Sequence, residues 1–217
     1  MRKMAVLVIG ATGRTGFEII EQLVAASQAV VAGVHSHKLD RQLAELGVQV
    51  RHVDLIQDGI TQLRDQLAGV ETIVFAAGAS QSRPDLAEWL DLDGAVKLMD
   101  AAKLAGVSRF LMVSAAGASD RSTWDIYDIP QYYLAKYYAE RELSRSGLTY
   151  TVVRPPLLSN GPRTGRGSLE ATGHNAVISR ADVAAVVIAA ISDERTYHQA
   201  FDLFSGNEPV SKLFDNL

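Results

Sequence analysis

MAVLVIGATGRTGFEIIEQLVAA, Met4–Ala26, places three glycines and two threonines between an apolar run and a helical pattern. MAVLVI (Met4–Ile9) reads as a buried strand, and the apolar spacing that follows predicts a helix over Gly16–Ala26. A tight turn alone needs one glycine. The G-x-x-G-x-x-G spacing of Gly10, Gly13 and Gly16 implies that the turn also receives a ligand. Backbone N–H groups at a helix N-terminus have no intrahelical partner, and the macrodipole there favours an anion. Gly10 suits the tight turn, Gly13 leaves the backbone open to a pyrophosphate, and Gly16 lets the helix pack close to the strand. Thr12 and Thr15 add hydroxyl donors and Arg14 a cation. The spacing is one residue longer than the common G-x-G-x-x-G fingerprint, but its place between a first strand and a helix is that of a dinucleotide-binding turn.

The same alternation runs along the chain. Strands are predicted at Ala29–Val34, Val48–Val53, Glu71–Gly78, Ser108–Ser114 and Leu148–Val153, with a late one at Gln199–Gly206. Helices are predicted at Leu39–Leu46, Ile60–Leu67, Leu86–Ala105, Pro130–Ser146, Ser179–Ile191 and, as a short last piece, Val210–Asn216. The buried side of Leu86–Ala105 is expected to carry Leu86, Trp89, Leu90, Met99, Ala102 and Leu104. Ser179 is the expected N-cap of its helix. RPP at Arg154–Pro156 ends regular pairing, and Arg154–Asn175 is the least regular stretch. Strands alternating with helices of this length predict an α/β fold, a doubly wound parallel Rossmann sheet covered on both faces. One domain is expected over 1–217, with 154–178 and 196–217 forming a small substrate-side cap.

Composition narrows the function. Hydrophobic residues make up 47% of the 217, enough for a sizeable core. The net charge is −4 without a basic block, which argues against nucleic acid as a partner. With no cysteine, disulfides, Cys-ligated zinc, iron–sulfur clusters and thiol catalysis are excluded. Neither a signal-peptide pattern nor a membrane-spanning run is legible, so a cytoplasmic protein is expected. Its partner is expected to be a small-molecule substrate, and the chain a monomer or a homodimer.

The end of the second strand bears on the cofactor. An acid there would accept hydrogen bonds from the adenosine ribose and repel a 2′-phosphate. In GVHSHKLD (Gly33–Asp40) no acid occurs before Asp40, whereas His35, Ser36, His37 and Lys38 offer donors and positive charge. NADP(H) is expected in preference to NAD(H).

With these residues in view, the chain resembles the atypical short-chain dehydrogenase/reductases. It is similar, more narrowly, to the small NAD(P)-binding group related to flavin/biliverdin reductase B and the NmrA-like proteins. GATGRTG (Gly10–Gly16), HVDL (His52–Leu55), FAAGAS (Phe75–Ser80) and LDGAVKLMDAAKLAGVSRFLMVSAAGA (Leu92–Ala118) carry the resemblance. YYLAKYYAERELSRSGLTYTVVRP (Tyr132–Pro155) and ISRADVAAVVIAAI (Ile178–Ile191) complete it. The resemblance implies that Asp54 and Leu55 lie against the adenine. It implies that Ala76, Ala77 and Gly78 form the loop beneath the ribose and phosphates, and that the main chain after Arg154 and Pro155 passes near the nicotinamide. Two positions depart from the family's habit: Pro156 stands where glycine is common, and His35 where arginine is.

The resemblance also implies a hydride-transfer set of Tyr132, Lys136 and Ser114. Residues four apart share one helix face, so the Lys136 ammonium can lie near the Tyr132 phenol. A nearby cation favours the phenolate and is expected to lower the tyrosine pKa from about 10. Tyr132 would then exchange a proton with the substrate oxygen, Lys136 would also bind the nicotinamide ribose, and Ser114 would hold the substrate oxygen. The five histidines show no metal-like spacing, and no metal is expected. Asp85, Asp91, Asp93 and Asp100 read as a solvated helix face or cap. Trp124 and Tyr127, and Arg163, Arg166 and His174, lie in the two segments expected to border the substrate.

Three functions remain open. The first is an NADP-dependent oxidoreductase acting on a small carbonyl, quinone or flavin-like compound. The second is an NADP(H)-binding sensor of the NmrA-like type without turnover. The third is an NAD-dependent epimerase/dehydratase-like enzyme. About 60 residues follow the sixth strand, too few for a large sugar-nucleotide domain.

Overall fold

The computed structural model describes residues 5–79, 83–127, 129–171, 176–215 and 217, the side chains of 125–127 excepted. Met4, Ser80, His174, Asn216 and the Tyr127 side chain, all named above, lie outside that set.

In chain order the first half runs β1 (Ala5–Ile9), α1 (Arg14–Ala25), β2 (Val30–Val34), α2 (Asp40–Glu45), β3 (Gln49–His52), α3 (Ile60–Asp65) and β4 (Val70–Phe75). There follow α4 (Gly94–Ala105), β5 (Arg109–Val113), α5 (Pro130–Arg145) and β6 (Thr149–Arg154). The last part holds β7 (Leu157–Ser159), β8 (Arg166–Ser168), β9 (Val177–Ser179), α6 (Arg180–Ala190), β10 (Gln199–Asp202) and β11 (Phe204–Pro209).

Seven strands form one sheet in the order β10-β6-β5-β4-β1-β2-β3, and every pair in it is parallel. Alternate residues of each strand feed opposite faces. Val6 and Val8 pack with Ile19 and Leu23 of α1 and Val183 and Val187 of α6. Leu7 and Ile9 pack with Leu63 of α3, Leu98 and Met99 of α4 and Leu143 of α5. This is the doubly wound Rossmann arrangement that the alternating pattern predicts. After β3 the chain crosses to the other side of β1, so the switch point lies between β1 and β4. A ligand crevice belongs at the carboxyl ends of these strands.

Four stretches differ from expectation. The helix expected over Leu86–Ala105 is a 3-10 turn at Pro84–Leu86, a π-helical turn at Glu88–Asp93 and only then α4. Trp89 and Leu104, expected on its buried side, are 57% and 65% exposed; Trp89 lies in the wider turn, and Leu104 lies on the face of α4 away from buried Met99 and Ala102. The late strand over Gln199–Gly206 is two: β10 extends the main sheet beside β6, and β11 pairs antiparallel with β8. Arg154–Asn175 is not simply irregular, since β7 also pairs with β9 in a second small sheet. The last helix expected over Val210–Asn216 is a 3-10 turn at Val210–Lys212. Ser179 caps α6 as expected, its hydroxyl accepting from the Asp182 N–H at 3.0 Å. Among the described residues no helix is long and apolar enough to cross a membrane.

Candidate functional site

The glycine turn sits at the carboxyl end of β1. Gly10 has φ +82°, and a Cβ there would lie 2.6 Å from the Ala77 nitrogen. A Cβ on Gly16 would stand 2.2 Å from the Gly10 carbonyl oxygen. Both glycines are therefore required by contacts within the protein. Gly13 is different: it is exposed, and a Cβ would meet only the Gly10 oxygen, at 3.1 Å. Gly13 is also the N-cap of α1 and supplies no side-chain cap. The N–H groups of the first turn, at Arg14, Thr15 and Gly16, thus face the crevice with no partner of their own within the helix. Thr12 and Thr15 are half-buried beside them, and Arg14 is exposed.

Arg180, the first residue of α6, lies close enough to Arg14 to feel its charge. Burial first, and repulsion from Arg14 second, lower the Arg180 pKa. Its guanidinium is held by the Leu158 carbonyl at 3.2 Å and Asn160 Oδ1 at 2.7 Å. Two cations thus stand beside an uncapped helix N-terminus, an arrangement whose charge suits an anion. Arg180 was not singled out from the sequence, because only the packing of α6 against α1 brings it there.

Around the turn, Ala76 and Ala77 are half-buried and press on Gly10, while Gly78 is exposed. Leu55 is buried in the core below the start of α4, where a Cβ on Gly94 would be 2.9 Å from its Cβ. Asp54 accepts turn N–H groups from Ile56 at 2.9 Å and Gln57 at 3.1 Å. His35 and Lys38 are exposed and Ser36 half-buried, on the loop after β2. Asp40 is turned to His37 and His52, whose ring nitrogens stand 2.7 and 3.2 Å from one of its oxygens. Sequence spacing did not connect these three residues; the fold does.

Gly78 joins this turn to the polar cluster on α5. A Cβ there would be 2.8 Å from Asp91 Oδ1 and 3.6 Å from Lys136 Nζ. Tyr132, Lys136 and Glu140 follow one another at four-residue spacing on one face of α5. Lys136 is 3% exposed and paired at 2.7 Å with Asp91, which is 0% exposed. Lys136 also donates to the Val113 carbonyl at 3.2 Å, and the Ala79 N–H donates to Asp91 Oδ2 at 2.7 Å. Asp91 is thus neither solvated nor a cap, unlike Asp85, Asp93 and Asp100, which lie at exposed ion pairs. The π-helical turn aims it inward, and no spacing rule shows such a turn.

This pairing reverses one expectation. The Lys136 ammonium lies 5.6 Å from the centre of the Tyr132 ring, as the four-residue spacing implies. Yet burial pushes the Tyr132 pKa above its ordinary value, Lys136 opposes this incompletely, and Asp91 adds to the rise. Burial works against the Lys136 charge too, but Asp91 and its other polar neighbours outweigh it and raise that pKa.

Ser114 is also placed differently from its expected role. It is buried, and its hydroxyl donates to Glu140 Oε1 at 2.5 Å. A hydroxyl has one proton to give, so Ser114 in this state has none for a substrate carbonyl. Glu140 is clamped by Arg154, with contacts of 3.0 Å and 2.6 Å to Oε2, and Arg154 lies 3.6 Å from Asp202 on β10. Burial opposes the Arg154 charge, and Glu140 more than restores it. Burial likewise pushes the Asp202 carboxyl above the usual range, against the pull of Arg154. Pro155 is buried, and its carbonyl accepts from the Ala116 N–H at 2.9 Å.

A groove of about 640 Å³ borders Arg154, Phe201, Asp202 and Lys212. A smaller one of about 220 Å³ borders Tyr137, Glu140 and Arg154. Neither is bordered by Tyr132 or Lys136, so they meet the polar cluster only through Arg154 and Glu140. Of the expected substrate-side residues, Trp124 packs edge-on to Tyr137 and donates to the Ala118 carbonyl at 3.2 Å. Arg166 donates to the Asn207 carbonyl, and Arg163 is exposed.

Residues 10–194 match the family described as NAD(P)H-binding. The uncharacterized sugar epimerase YhfK of Bacillus subtilis is 36% identical over 99% of this chain and 100% of its own. A proposed NAD-dependent epimerase/dehydratase from Bacillus halodurans is 32% identical, with TM-score 0.90 over 99% of this chain and 100% of that one. ChuY, an anaerobillin reductase of Escherichia coli O157:H7, is 25% identical, with TM-score 0.76 over 94% and 98%. With its glycine turn at the switch point of a parallel sheet, this chain belongs to the NAD(P)H-binding Rossmann family of the atypical short-chain dehydrogenase/reductase type.

Proposed function

We propose that this protein is an NADP-dependent oxidoreductase acting on a small carbonyl, quinone or flavin-like compound, with Tyr132 as the proton donor. The observation that carries the reading is one continuous set of contacts. Gly10 abuts Ala77, the neighbouring Gly78 abuts Asp91 and Lys136, and Lys136 faces the Tyr132 ring. This continuity supports a reading in which the glycine turn and the Tyr132–Lys136 pair serve one bound dinucleotide.

The residues of the turn suit a dinucleotide. Gly13 leaves the main chain open, Arg14 and Arg180 supply positive charge, and Thr12, Thr15 and Gly16 line the helix start. Asp54 and Leu55 border the adenine end, Ala76, Ala77 and Gly78 the ribose and phosphates, and Pro155 the nicotinamide end. His35, Ser36 and Lys38 face the 2′-phosphate. Asp40, the nearest acid, is already bound to His37 and His52, which supports NADP(H) over NAD(H). A bound nicotinamide supplies or accepts the hydride.

Tyr132 is held protonated by its surroundings, which suits a donor to a carbonyl oxygen during reduction. Lys136, fixed by Asp91 and the Val113 carbonyl, directs its remaining N–H to a ribose hydroxyl. Ser114 accepts rather than donates unless Glu140 releases it, so it positions an alcohol product more readily than it activates a carbonyl. Residues 154–178 and 196–217 form the substrate side.

The test is a calorimetric titration with NADPH and, separately, NADH, followed by turnover of Tyr132→Phe on a panel of carbonyls, quinones and flavins. Selective NADPH binding is expected, with kcat falling about 10²–10⁴-fold in the variant at unchanged cofactor affinity. Preference for NADH overturns the reading of the loop after β2, and binding of neither overturns the whole proposal. Unchanged turnover removes Tyr132 from the mechanism. Binding without turnover of any compound points to the sensor.

A further inference from the structure

Three metal-ligating side chains converge beside the outer edge of the sheet. His37 lies in the 3-10 turn after β2, Asp40 is the first residue of α2, and His52 ends β3. His37 Nδ1 is 2.7 Å and His52 Nε2 3.2 Å from the same Asp40 oxygen, Oδ2. The ligand atoms of the three all lie within 4.8 Å of one another. The two imidazole rings are 4.0 Å apart at their centroids.

Hydrogen bonding accounts for this arrangement only in part. Both imidazoles converge on one oxygen. The other, Oδ1, is buried and has no hydrogen-bond partner among the described residues. Two imidazoles and a carboxylate are the donor set of a borderline transition metal. Magnesium and calcium prefer oxygen alone. Ligand atoms on a tetrahedral zinc ion stand about 3.3 Å apart, from bond lengths of about 2.0–2.2 Å. The two distances to Asp40 Oδ2, 2.7 and 3.2 Å, fall below that value, and the His37 side chain, 81% exposed, has room to turn outward.

The geometry points to a site for one divalent transition metal ion of the zinc class, held by His37 Nδ1, the Asp40 carboxylate and His52 Nε2. A fourth position is open to solvent. The ion ties the loop after β2 to the end of β3. The inference stands independently of the cofactor reading.

The test uses the full chain, treated with EDTA and dialysed. Zn²⁺ is titrated calorimetrically, Co²⁺ serves as a visible-absorption probe, and Mg²⁺ is the control. One equivalent of Zn²⁺ is expected, with Co²⁺ bands typical of four or five ligands and no Mg²⁺ uptake. His37→Asn and His52→Asn should each weaken Zn²⁺ binding at least about tenfold, while His198→Asn should leave it unchanged. All three positions are at the surface, and circular dichroism checks that each variant is folded. No Zn²⁺ uptake by the folded protein overturns the site. So does uptake that His52→Asn leaves unaltered, which would make the metal adventitious and leave His37, Asp40 and His52 a hydrogen-bonded cluster.

Discussion

Tyr132 loses more by leaving water than it gains from Lys136, and Asp91, paired with that ammonium at 2.7 Å, adds to the rise. The folded state therefore binds the phenolic proton more tightly than the unfolded chain does. The resulting stability is fully present below about pH 10, the ordinary tyrosine pKa, and is lost as pH rises through the higher folded value. An absorbance titration of tyrosinate, wild type minus Tyr132→Phe, should show this one phenol ionising later than free tyrosine. Ionisation below about pH 10 would contradict the burial of this phenol. The Tyr-x-x-x-Lys spacing and the shared helix face were legible in YYLAKYY. The sign of the shift was not, since it depends first on how deeply the fold buries the phenol, with Asp91, 41 positions before Tyr132, adding to the rise.

The strand–turn–helix of β1 and α1 separates two uses of glycine that a shared motif conflates. Gly16→Ala sets a Cβ 2.2 Å from a backbone oxygen and should lower the calorimetric melting temperature sharply. Gly13→Ala needs the neighbour to give only slightly at 3.1 Å, so it should melt near wild type while weakening cofactor binding about tenfold or more. Equal melting losses in both would mean that Gly13 also serves the fold. The π-helical turn carries a similar lesson. Glu88–Asp93 has unremarkable helical composition, which is why the sequence reads as one long helix; the inward Asp91 depends on widened backbone geometry. Asp91→Ala leaves the buried Lys136 without its counter-ion and should cost about 3–5 kcal/mol in denaturant unfolding. A loss below about 1 kcal/mol would show that water reaches the pair. Removing one residue from this turn would rotate what precedes it by about 100° relative to α4, carrying Asp91 off Lys136.

Across the whole molecule, the proposed site lies at the carboxyl ends of the strands, while the opposite end holds a buried cation that ties loops and strands together. Arg109, the first residue of β5, is buried and donates to the carbonyls of Thr149, Ala190 and Ile191 and to the hydroxyls of Thr151 and Thr196. Its guanidinium also lies 4.5 Å from the Tyr197 ring centre, and burial lowers its pKa to about 10. Arg109→Met strands several acceptors and should cost about 3 kcal/mol or more, with cofactor affinity unchanged. A parallel fall in affinity would show that the two ends are coupled. The parallel sheet and its two layers of helices were legible because hydrophobic period and length carry them. The β7–β9 and β8–β11 pairs were not, being three to six residues long and joined across distant parts of the chain. The place of β1 has a consequence for how the chain reaches this state. β1 stands in the middle of the sheet, between β2, which follows at Val30, and β4, which follows only at Val70. Until β4 is in place, Ala5–Ile9 keeps one edge unpaired and apolar, and parallel pairing over such a separation is slow. The glycine turn, which closes against Ala77, is therefore completed only by the far side of a long-range pairing.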